Sequence, residues 1–430
     1  MRLMIRQAKC YRSGEWILTD VRVDDGIITS VGDRLPTGDE DEIVEANGKT
    51  LLPGLIDVHV HLREPGFEEK ETIASGSRAA ARGGFTTIAA MPNTEPVTDT
   101  ADLVREQYRK AGKEAVVNVH FYGAITEGLR GEELTDFQAL KEAGAFALTD
   151  DGVGIQSAGQ MLAAMERAKE VGLTVVAHCE DNSLADRGVM HDGEKASRLG
   201  LPGIPAEAEA AHIVRDALLA ERTGVHYHVC HVSSAASVQA IREAKQRGVH
   251  MTAEVTPHHL VLTEDDIPGD NALYKMNPPL RSARDRSALM AGLLDGTIDF
   301  IATDHAPHET AAKRRGFRGA PFGVIGLETA FPLLYTRLVL TGFLTLEQLV
   351  KRMSTAPAAC FGLPGGVICE GAQADLTLVD LEREETVDPA AFYSKSENTP
   401  FCGWRLTGWP VWTMVGGQVV YDEAQGGITG

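Results

Sequence analysis

Hydrophobic and polar residues follow a different pattern in the middle of the chain from that at its two ends. Between residues 54 and 365, short apolar runs alternate with stretches whose apolar residues recur at helical spacing. Eight such runs occur: LIDVHVH, GFTTIAAM, AVVNVHFYG, GAFALTD, LTVVAHC, VHYHVCHV, VHMTAEV and IDFIATD. Because strands that alternate with helices are typical of parallel βα units, this α/β pattern predicts a TIM-like (β/α)8 barrel over residues 54–365.

Two of the intervening segments, SAGQMLAAMERAKEVG and SAASVQAIREAKQRG, also carry signals for helix ends. Each begins at a serine that can cap a helix, and each ends at a glycine with cations in the preceding turn. We therefore predict a helix in each segment.

The two chain ends read as short strands and turns. Residues 1–53 contain RLMIRQAKCY and WILTDVRVDDGIITSVG, in which Asp25 and Gly26 predict a tight hairpin. Residues 366–430 contain ADLTLVDL and PVWTMVGGQVVYDE, which again alternate apolar and polar positions. Because strand-rich segments flank a differently patterned middle, we predict one small β-sandwich domain built from both termini.

Composition excludes several classes of protein. The 430 residues carry 61 acids and 41 bases, a net charge of -20, which argues against a surface for nucleic acid or an anionic membrane. The basic run KRRGFR, residues 313–318, is interpreted as a solvated loop rather than a targeting signal. The start lacks a long apolar segment and the six cysteines lack CxxC spacing, so we predict a cytoplasmic protein with reduced thiols.

Metal-ligating residue types stand where the predicted strands end. In an extended strand His59, His61 and Arg63 project on the same side, which suits a metal followed by an anion contact. Other strand ends add imidazole and carboxylate groups, at Asp150, Asp151, His178, His231 and Asp304. Their joint occurrence indicates a metal centre rather than structural histidines. Because these groups are too many for one tetrahedral Zn²⁺ site, they suit two metals about 3.5 to 4 Å apart and metal-assisted hydrolysis or its reverse.

Several motifs give the chain a family resemblance. DVHVHLREP (57–65), MPNT (91–94), TDDG (149–152), VTPHHL (255–260), MNPPLR (276–281) and ATDHAPHETAAK (302–313) stand in this order along the predicted barrel. They resemble the motifs of the class I dihydroorotases, in the cyclic amidohydrolase group of the amidohydrolase superfamily. The resemblance implies reversible cyclisation of N-carbamoyl-L-aspartate to L-dihydroorotate in de novo pyrimidine (UMP) biosynthesis.

The resemblance also implies a set of metal ligands. It assigns His59, His61 and Asp304 to one Zn²⁺, His178 and His231 to a second, and Asp151 to the bridge together with a hydroxide. Many superfamily members bridge with a carboxylated lysine, but ALTDDGVG contains none. Asp150 remains an alternative bridge, because adjacent positions at a strand end point apart.

A mechanism follows from this assignment. A metal-bound hydroxide attacks the ring amide carbon, and Asp304 acts as the catalytic acid and base. The resemblance places the substrate on His61, Arg63, Asn93, Asn277 and His308, with Arg63 as the natural anchor for its carboxylate. We further predict that residues 308–323 form a mobile loop in which Phe322 and Gly323 line the ring pocket.

Alternatives remain for individual residues. Asn93 could be a turn residue, and His308 a solvent-facing loop histidine. Cys179 and Cys230 adjoin predicted ligands, but strand alternation predicts that they pack away from the metal. His258 and His259 are interpreted as supporting or structural residues.

Alternatives also remain for the function. Allantoinase and dihydropyrimidinase hydrolyse related rings, but the missing lysine and the presence of Arg63 favour dihydroorotase. An inactive scaffold for aspartate transcarbamoylase is disfavoured because every predicted ligand is present. A homodimer and an association of the active enzyme with aspartate transcarbamoylase are further expectations from the resemblance.

Overall fold

The computed structural model describes residues 2–12, 14–38 and 41–429. Its strands are β1 (Arg2–Arg12), β2 (Glu15–Asp24), β3 (Ile27–Gly32), β4 (Glu42–Glu45), β5 (Thr50–Pro53), β6 (Leu55–Val60), β7 (Phe85–Ala90), β8 (Asn118–Phe121), β9 (Leu148–Thr149), β10 (Val175–Ala177), β11 (Met190–His191), β12 (Gly203–Ile204), β13 (Tyr227–Val229), β14 (Met251–Val255), β15 (Phe300–Ile301), β16 (Leu376–Thr386), β17 (Arg405–Val415), β18 (Gln418–Asp422) and β19 (Gly427–Ile428).

The α-helices alternate with the strands of the middle segment. They are α1 (Ile73–Arg82), α2 (Ala101–Glu114), α3 (Phe137–Glu142), α4 (Ala158–Val171), α5 (Asn182–Ala185), α6 (Glu194–Leu199), α7 (Ala206–Thr223), α8 (Ala235–Gln246), α9 (Pro257–Val261), α10 (Ala283–Asp295), α11 (Thr310–Lys313), α12 (Gly316–Gly319), α13 (Ala330–Leu334), α14 (Leu346–Val350) and α15 (Ala356–Phe361). None of the helices in the described ranges combines the length and apolarity that a membrane span requires.

The two chain ends meet in one nine-stranded sheet. Its order is β19-β18-β17-β16-β5-β1-β2-β3, with β4 paired to β1. Strands β5 and β16 join the two ends, and Leu51 lies opposite Leu378. The hairpin predicted at residues 25 and 26 is confirmed: it connects β2 to β3, and both Asp25 (φ 46°) and Gly26 (φ 81°) are left-handed, as a tight two-residue turn requires.

Each of the eight apolar runs in the middle segment contains a strand, and neighbouring strands are parallel. Strands β6, β7 and β8 form one sheet, and β9, β10, β13, β14 and β15 form a second. Single parallel bridges link the sheets on both sides, between Gly123 and Leu148 and between Val60 and His305. The pair β11 and β12, which lies between β10 and α7, has no counterpart among the predicted runs.

The helices cover the parallel strands with one apolar face. Helix α4 begins after the capping serine Ser157, ends at the left-handed Gly172, and buries Met161, Ala164 and Ala168 at helical spacing. Helix α8 likewise begins after Ser234. Both predicted helices are confirmed. They pack along the sides of the parallel strands, so the carboxyl ends of the strands can carry polar groups.

Candidate active site

Every predicted metal ligand lies at or just beyond the carboxyl end of a parallel strand. The positions are His59 on β6, His61 after β6, Asp151 after β9, His178 after β10, His231 after β13 and Asp304 after β15. All are at most 6% exposed. Because the strands are parallel, their carboxyl ends meet on one side, and the fold brings all six side chains together.

Two histidines and two carboxylates form one half of the cluster. Nε2 of His59 lies 3.6 Å from Oδ1 of Asp151 and 3.4 Å from Oδ1 of Asp304. Nε2 of His61 lies 3.6 Å from Oδ2 of Asp151 and 3.0 Å from Oδ1 of Asp304. These four side chains therefore surround one small polar volume.

The other half contains His178 and His231. Nδ1 of His178 lies 2.9 Å from Nε2 of His231 and 3.9 Å from Oδ1 of Asp151. Burial, aided by the neighbouring His178, holds the pKa of His231 well below its usual range. A neutral imidazole is the form that binds a metal.

Three buried atoms of the cluster have no hydrogen-bond partner within the described part of the chain. They are Nε2 of His59, Oδ1 of Asp151 and Nδ1 of His231. Unpaired buried polar atoms cost free energy and call for a ligand, and imidazole and carboxylate donors suit a divalent cation. The cluster therefore fits a metal cofactor.

Glu254, on β14, orients the most buried ligand. Its Oε1 accepts a 2.6 Å hydrogen bond from Nδ1 of His59, which leaves Nε2 directed at the cluster. Its Oε2 lies 3.1 Å from Nε2 of His228. Burial opposes ionisation of Glu254, but His59 and His228 outweigh it and lower its pKa to about 2. Glu254 is therefore a carboxylate at neutral pH.

The geometry distinguishes the two adjacent aspartates. Asp150 accepts hydrogen bonds from the backbone of Ile125 (2.8 Å) and Thr126 (3.0 Å) and from the Thr126 hydroxyl. Its carboxylate is thus occupied in holding the loop after β8, whereas Asp151 faces the histidines. Asp151, not Asp150, lies in the ligand cluster.

Three residues of the site adopt left-handed backbone conformations that non-glycine residues rarely use. The φ angles are 62° at Arg63, 32° at His231 and 49° at Asp304. Each costs about 1 kcal/mol or more, so the surrounding packing must enforce it. Such sharp turns directly after strands aim these side chains into the site.

A cavity of about 220 Å³ adjoins the ligand cluster. Its walls include all the residues predicted to bind substrate, and the full lining is His61, Arg63, Asn93, Asp151, Gly152, His178, His231, Asn277, Asp304, Ala306, His308, Phe322 and Gly323. Gly323 is required there, because a Cβ would lie 2.7 Å from Cβ of Ala306. The cavity thus joins ligand and substrate groups in one site.

Arg63 supplies positive charge to the cavity. No carboxylate of the described residues forms an ion pair with it, although Nε donates to the carbonyl of Pro307 at 3.3 Å and Nη2 lies 3.3 Å from Nε2 of His308. Burial lowers the pKa of Arg63 to about 10, so the guanidinium stays charged at neutral pH. A charged donor without an acidic partner is suited to an anionic ligand.

His308 and Asn93 line the cavity as neutral groups, unlike the charged Arg63. Nε2 of His308 lies 2.7 Å from the carbonyl of Phe322 and must donate its proton there. Burial and the nearby Arg63 lower the pKa of His308 to about 2, so it is neutral. Oδ1 of Asn93 lies 3.0 Å from Nδ1 of His61, and its Nδ2 donates a hydrogen bond to Oδ2 of Asp151 at 3.3 Å. Both residues line the cavity, and their contacts with substrate stay a prediction.

Asn277 presents an unpaired oxygen to the cavity. Its Nδ2 donates to Oε2 of Glu180 at 3.1 Å, whereas its Oδ1 is buried without a partner among the described residues. The carboxylate of Glu180 can only accept, which fixes this orientation of the amide. Oδ1 is therefore placed to accept a hydrogen bond from a ligand N–H.

The interpretation of residues 313–318 as a solvated loop is wrong for Lys313 and Phe317. Both are buried. Nζ of Lys313 donates to the carbonyls of Lys275 (2.9 Å), Pro321 (3.1 Å) and Gly323 (2.8 Å). The predicted mobile loop is thus tied to the cavity wall, and any movement must break these hydrogen bonds.

Lys313 gives a pH dependence of stability. Burial, followed by repulsion from Lys275, lowers its pKa from 10.5 to about 7. Between these values the unfolded chain binds the extra proton, so the free energy of unfolding rises with pH from 7 to 10.

Relative to Lys313→Met, we expect the wild type to gain at least about 1 kcal/mol over this window in urea denaturation. Parallel profiles would contradict this, and the exposed Lys113→Met serves as the control.

The structure also shows the surroundings of Cys179, Cys230 and His259, which the sequence analysis interpreted as packing or supporting residues. The thiol of Cys179 contacts the hydroxyl of Tyr227 at 3.2 Å, and burial raises its pKa well above the usual range. Cys230 is also buried, its Sγ lies within 4.8 Å of ligand atoms of His59 and Glu254, and burial raises its thiol pKa well above the usual range. His259 lies 2.9 Å from the carbonyl of Pro278 and so supports the segment that carries Asn277.

Three supporting residues escaped the sequence analysis: Glu180, Glu254 and Asn398. Glu254 carried a usable signal, because it is the one charged residue inside the strand MTAEV. Asn398 binds the backbone of His308 at 3.0 Å and the carbonyl of Gly323 at 3.1 Å from a distant part of the chain. No local pattern identifies such a contact.

Comparisons with known proteins found similar proteins over nearly the whole chain. Residues 48–237 match the family model described as Dihydro-orotase-like. The dihydroorotase of Geobacillus sp. (strain WCH70) is 57% identical over 99% of this chain and 100% of its own length. That of Bacillus caldolyticus is 56% identical over 96% of this chain and 97% of its own. The solved L-hydantoinase (dihydropyrimidinase) from Arthrobacter aurescens is 30% identical, with a TM-score of 0.88 over 98% of this chain and 96% of that one.

Proposed function

Because the chain belongs to the dihydroorotase family, we propose that it catalyses the reversible cyclisation of N-carbamoyl-L-aspartate to L-dihydroorotate in pyrimidine biosynthesis. The observation that carries the assignment to this chain is the position of Arg63. It supplies to the cavity of the metal-ligand cluster a guanidinium that has no ion-pair partner among the described residues. A carboxylated cyclic amide needs both features.

The proposed fold is a (β/α)8 barrel over residues 54–365, with a β-sandwich domain from residues 1–53 and 366–430. The single bridges that join the two parallel sheets on both sides support closure of the eight strands. Register shifts in β1, β16 and β17 support folding of the terminal sheet over itself, because such irregularities bend strands.

We assign the metals as two Zn²⁺ ions. The proposed ligands are His59, His61 and Asp304 for one ion, His178 and His231 for the other, and Asp151 for both. Support comes from Asp151, whose Oδ1 faces His59 and His178 while its Oδ2 faces His61. When bound, the ions supply a nucleophilic water of lowered pKa and polarise the ring carbonyl.

Asp304 is the proposed acid and base. It lines the cavity, and its Oδ1 lies 3.0 Å from Nε2 of His61. In hydrolysis the ring C–N bond breaks, the water oxygen joins the carbonyl carbon, and Asp304 carries a proton from that water to the ring nitrogen. In cyclisation the carbamoyl nitrogen bonds to the carboxyl carbon and loses its proton to Asp304, which passes that proton to the hydroxyl group of the carboxyl as it leaves as water.

Substrate orientation rests on two further groups. Arg63 would hold the ring carboxylate through charge-assisted hydrogen bonds. Oδ1 of Asn277 would accept a hydrogen bond from a ring N–H, since Glu180 already occupies its amide nitrogen. His308, Phe322 and Gly323 would complete the wall around the ring.

Two other functions are less well supported. A dihydropyrimidinase or allantoinase needs no anchor for a carboxylate, so Arg63 would lack a role. An inactive scaffold would not need all six ligands to converge. Association with aspartate transcarbamoylase and a cytoplasmic location stay predictions.

A substrate panel tests the proposal. The metal-analysed protein is expected to hydrolyse L-dihydroorotate with a kcat/KM about 1000-fold above that for dihydrouracil or allantoin, because a site built for a polar group rejects ligands that lack it. The reaction is followed by loss of ring absorbance. Turnover of allantoin or dihydrouracil alone would keep the metal site and overturn the substrate. Absence of both metal and turnover would support the scaffold.

A further inference from the structure

A series of hydrogen bonds extends from the ligand His59 into the protein, outside the cavity. Beyond Glu254 it continues with His228, whose Nε2 lies 3.1 Å from Oε2 of Glu254. Nδ1 of His228 lies 2.8 Å from Oγ1 of Thr252, and the same oxygen lies 2.8 Å from Nε2 of His226. Glu254, His228, Thr252 and His226 are not part of the cavity lining, and we call them the polar series.

The polar series passes through apolar surroundings. His228 and Glu254 are both 0% exposed. The ring of His228 stacks on Phe300, with centroids 5.0 Å apart and planes 7° apart, and Phe300 packs in a cluster with Val58 and Val176. Because burying polar atoms among apolar side chains costs free energy, a phenyl ring would pack here at lower cost. Packing alone therefore does not explain a histidine at position 228.

The carboxylate of Glu254 gives the polar series a direction. A carboxylate only accepts, so Nε2 of His228 carries a proton and donates it to Glu254. In the neutral imidazole, Nδ1 of His228 then accepts the hydroxyl proton of Thr252. The oxygen of Thr252 accepts in turn from Nε2 of His226. Burial lowers the pKa of His226 to about 3, so this ring is neutral, and its Nδ1 accepts from the hydroxyl of Thr174 at 2.9 Å. Every donor thus points towards Glu254.

The other oxygen of Glu254 contacts both halves of the ligand cluster. Oε1 accepts hydrogen bonds from Nδ1 of His59 at 2.6 Å and from the backbone N–H of His231 at 3.4 Å. A donor on Oε2 opposes rotation of the carboxylate away from these two contacts. Because Nδ1 of His59 carries the proton, its Nε2 keeps the lone pair that a metal ion needs.

We propose that His228 and Thr252 are positioning residues for the metal site and act on His59 through Glu254. His228 holds the carboxylate by its second oxygen, and Thr252 keeps the proton of His228 on the nitrogen that faces Glu254. This role rests on the proposed function, in which His59 is a metal ligand. Removing a hydrogen-bond partner of this kind typically weakens metal binding by about 10- to 100-fold.

Two substitutions of His228 separate hydrogen bonding from packing. His228→Gln keeps an N–H near the position of Nε2 but loses the ring that stacks on Phe300, whereas His228→Phe keeps a ring and loses the donor. Zinc affinity is measured by transfer of the metal from the loaded protein to a chromophoric chelator. We expect His228→Phe to bind zinc at least about tenfold more weakly than the wild type, and His228→Gln to stay within about threefold of it.

The matched control is His120→Phe, at a histidine that stacks on Phe146 outside the polar series. Its zinc affinity should equal that of the wild type. If His228 only packs against Phe300, the order of the two His228 variants is reversed, and that order would overturn the proposal. Circular dichroism establishes that each variant is folded.

Thr252 provides an independent test that decides the question if a His228 variant does not fold. Thr252→Val keeps the shape and loses the hydroxyl, whereas Thr252→Ser keeps the hydroxyl. We expect Thr252→Val to bind zinc about tenfold more weakly and Thr252→Ser to match the wild type. The visible absorption of the cobalt-loaded protein, which reports ligand geometry, should change in Thr252→Val and not in Thr252→Ser.

The outcomes distinguish this proposal from the proposed function. A wild type that binds no metal would overturn both. A wild type that binds zinc, with equal affinities for Thr252→Val and Thr252→Ser, would overturn the positioning role alone and leave the ligand assignment intact.

Discussion

Asp304→Asn is expected to lower kcat for L-dihydroorotate hydrolysis by about 1000-fold, within the range that general acid–base catalysis contributes. Asparagine has nearly the same shape and keeps one oxygen near His59 and His61, but it cannot carry a proton to the ring nitrogen. The measurement is steady-state turnover of protein whose metal content has been determined. The described lining of the cavity holds two carboxyl groups, those of Asp304 and Asp151, and Asp151 is the proposed bridge between the ions.

The control for Asp304 is Asp216→Asn. Asp216 is also buried, but it accepts a hydrogen bond from Tyr227 at 2.7 Å outside the cavity. Its replacement should cost stability and leave kcat within a few-fold of the wild type. If Asp304→Asn retained its metal and more than a tenth of the wild-type kcat, the proton-transfer role would be wrong.

Arg63→Gln is expected to raise KM for L-dihydroorotate about 100-fold, while kcat falls by much less. The substrate carboxylate takes no part in bond breaking, so its contact with Arg63 contributes equally to the ground and transition states. Loss of a charge-assisted contact of this kind costs about 2 to 5 kcal/mol. Initial rates over a range of substrate concentrations separate the two constants.

Arg315→Gln is the matched control for Arg63, because it removes an exposed arginine from the neighbouring loop. It should leave both constants unchanged. A fall in kcat with an unchanged KM for Arg63→Gln would instead indicate that Arg63 only shapes the loop through its contact with Pro307.

Local patterns in the sequence were sufficient to predict the eight main strands of the middle segment and to bring the candidate ligands to one side of them. The eight apolar runs are strands because β-branched residues and their spacing act over a few neighbouring positions. His59 and His61 could be placed on one face because alternation in a strand is a local property. The convergence of six ligands followed from one rule, that the carboxyl ends of parallel strands meet.

Contacts between distant segments could not be predicted in this way. Lys313 belongs to a run of cations that is typical of a solvated loop, yet the carbonyls of Lys275, Pro321 and Gly323 bury its ammonium group. Glu254 orients His59 across the strands, and the choice between Asp150 and Asp151 depended on the donors of Ile125 and Thr126. Such partners are fixed by tertiary packing, which no local window contains.

The pairing of β5 with β16 has a consequence for synthesis on the ribosome. β5 lies near the start of the chain, whereas its neighbour β16 emerges only after the entire middle segment. The nascent protein therefore carries an open sheet edge throughout translation of the parallel strands of the middle segment, and such an edge is a template for pairing with other chains. A product truncated before Leu376 keeps that edge permanently, so premature termination yields an aggregation-prone fragment even when the segment that carries the ligands is complete.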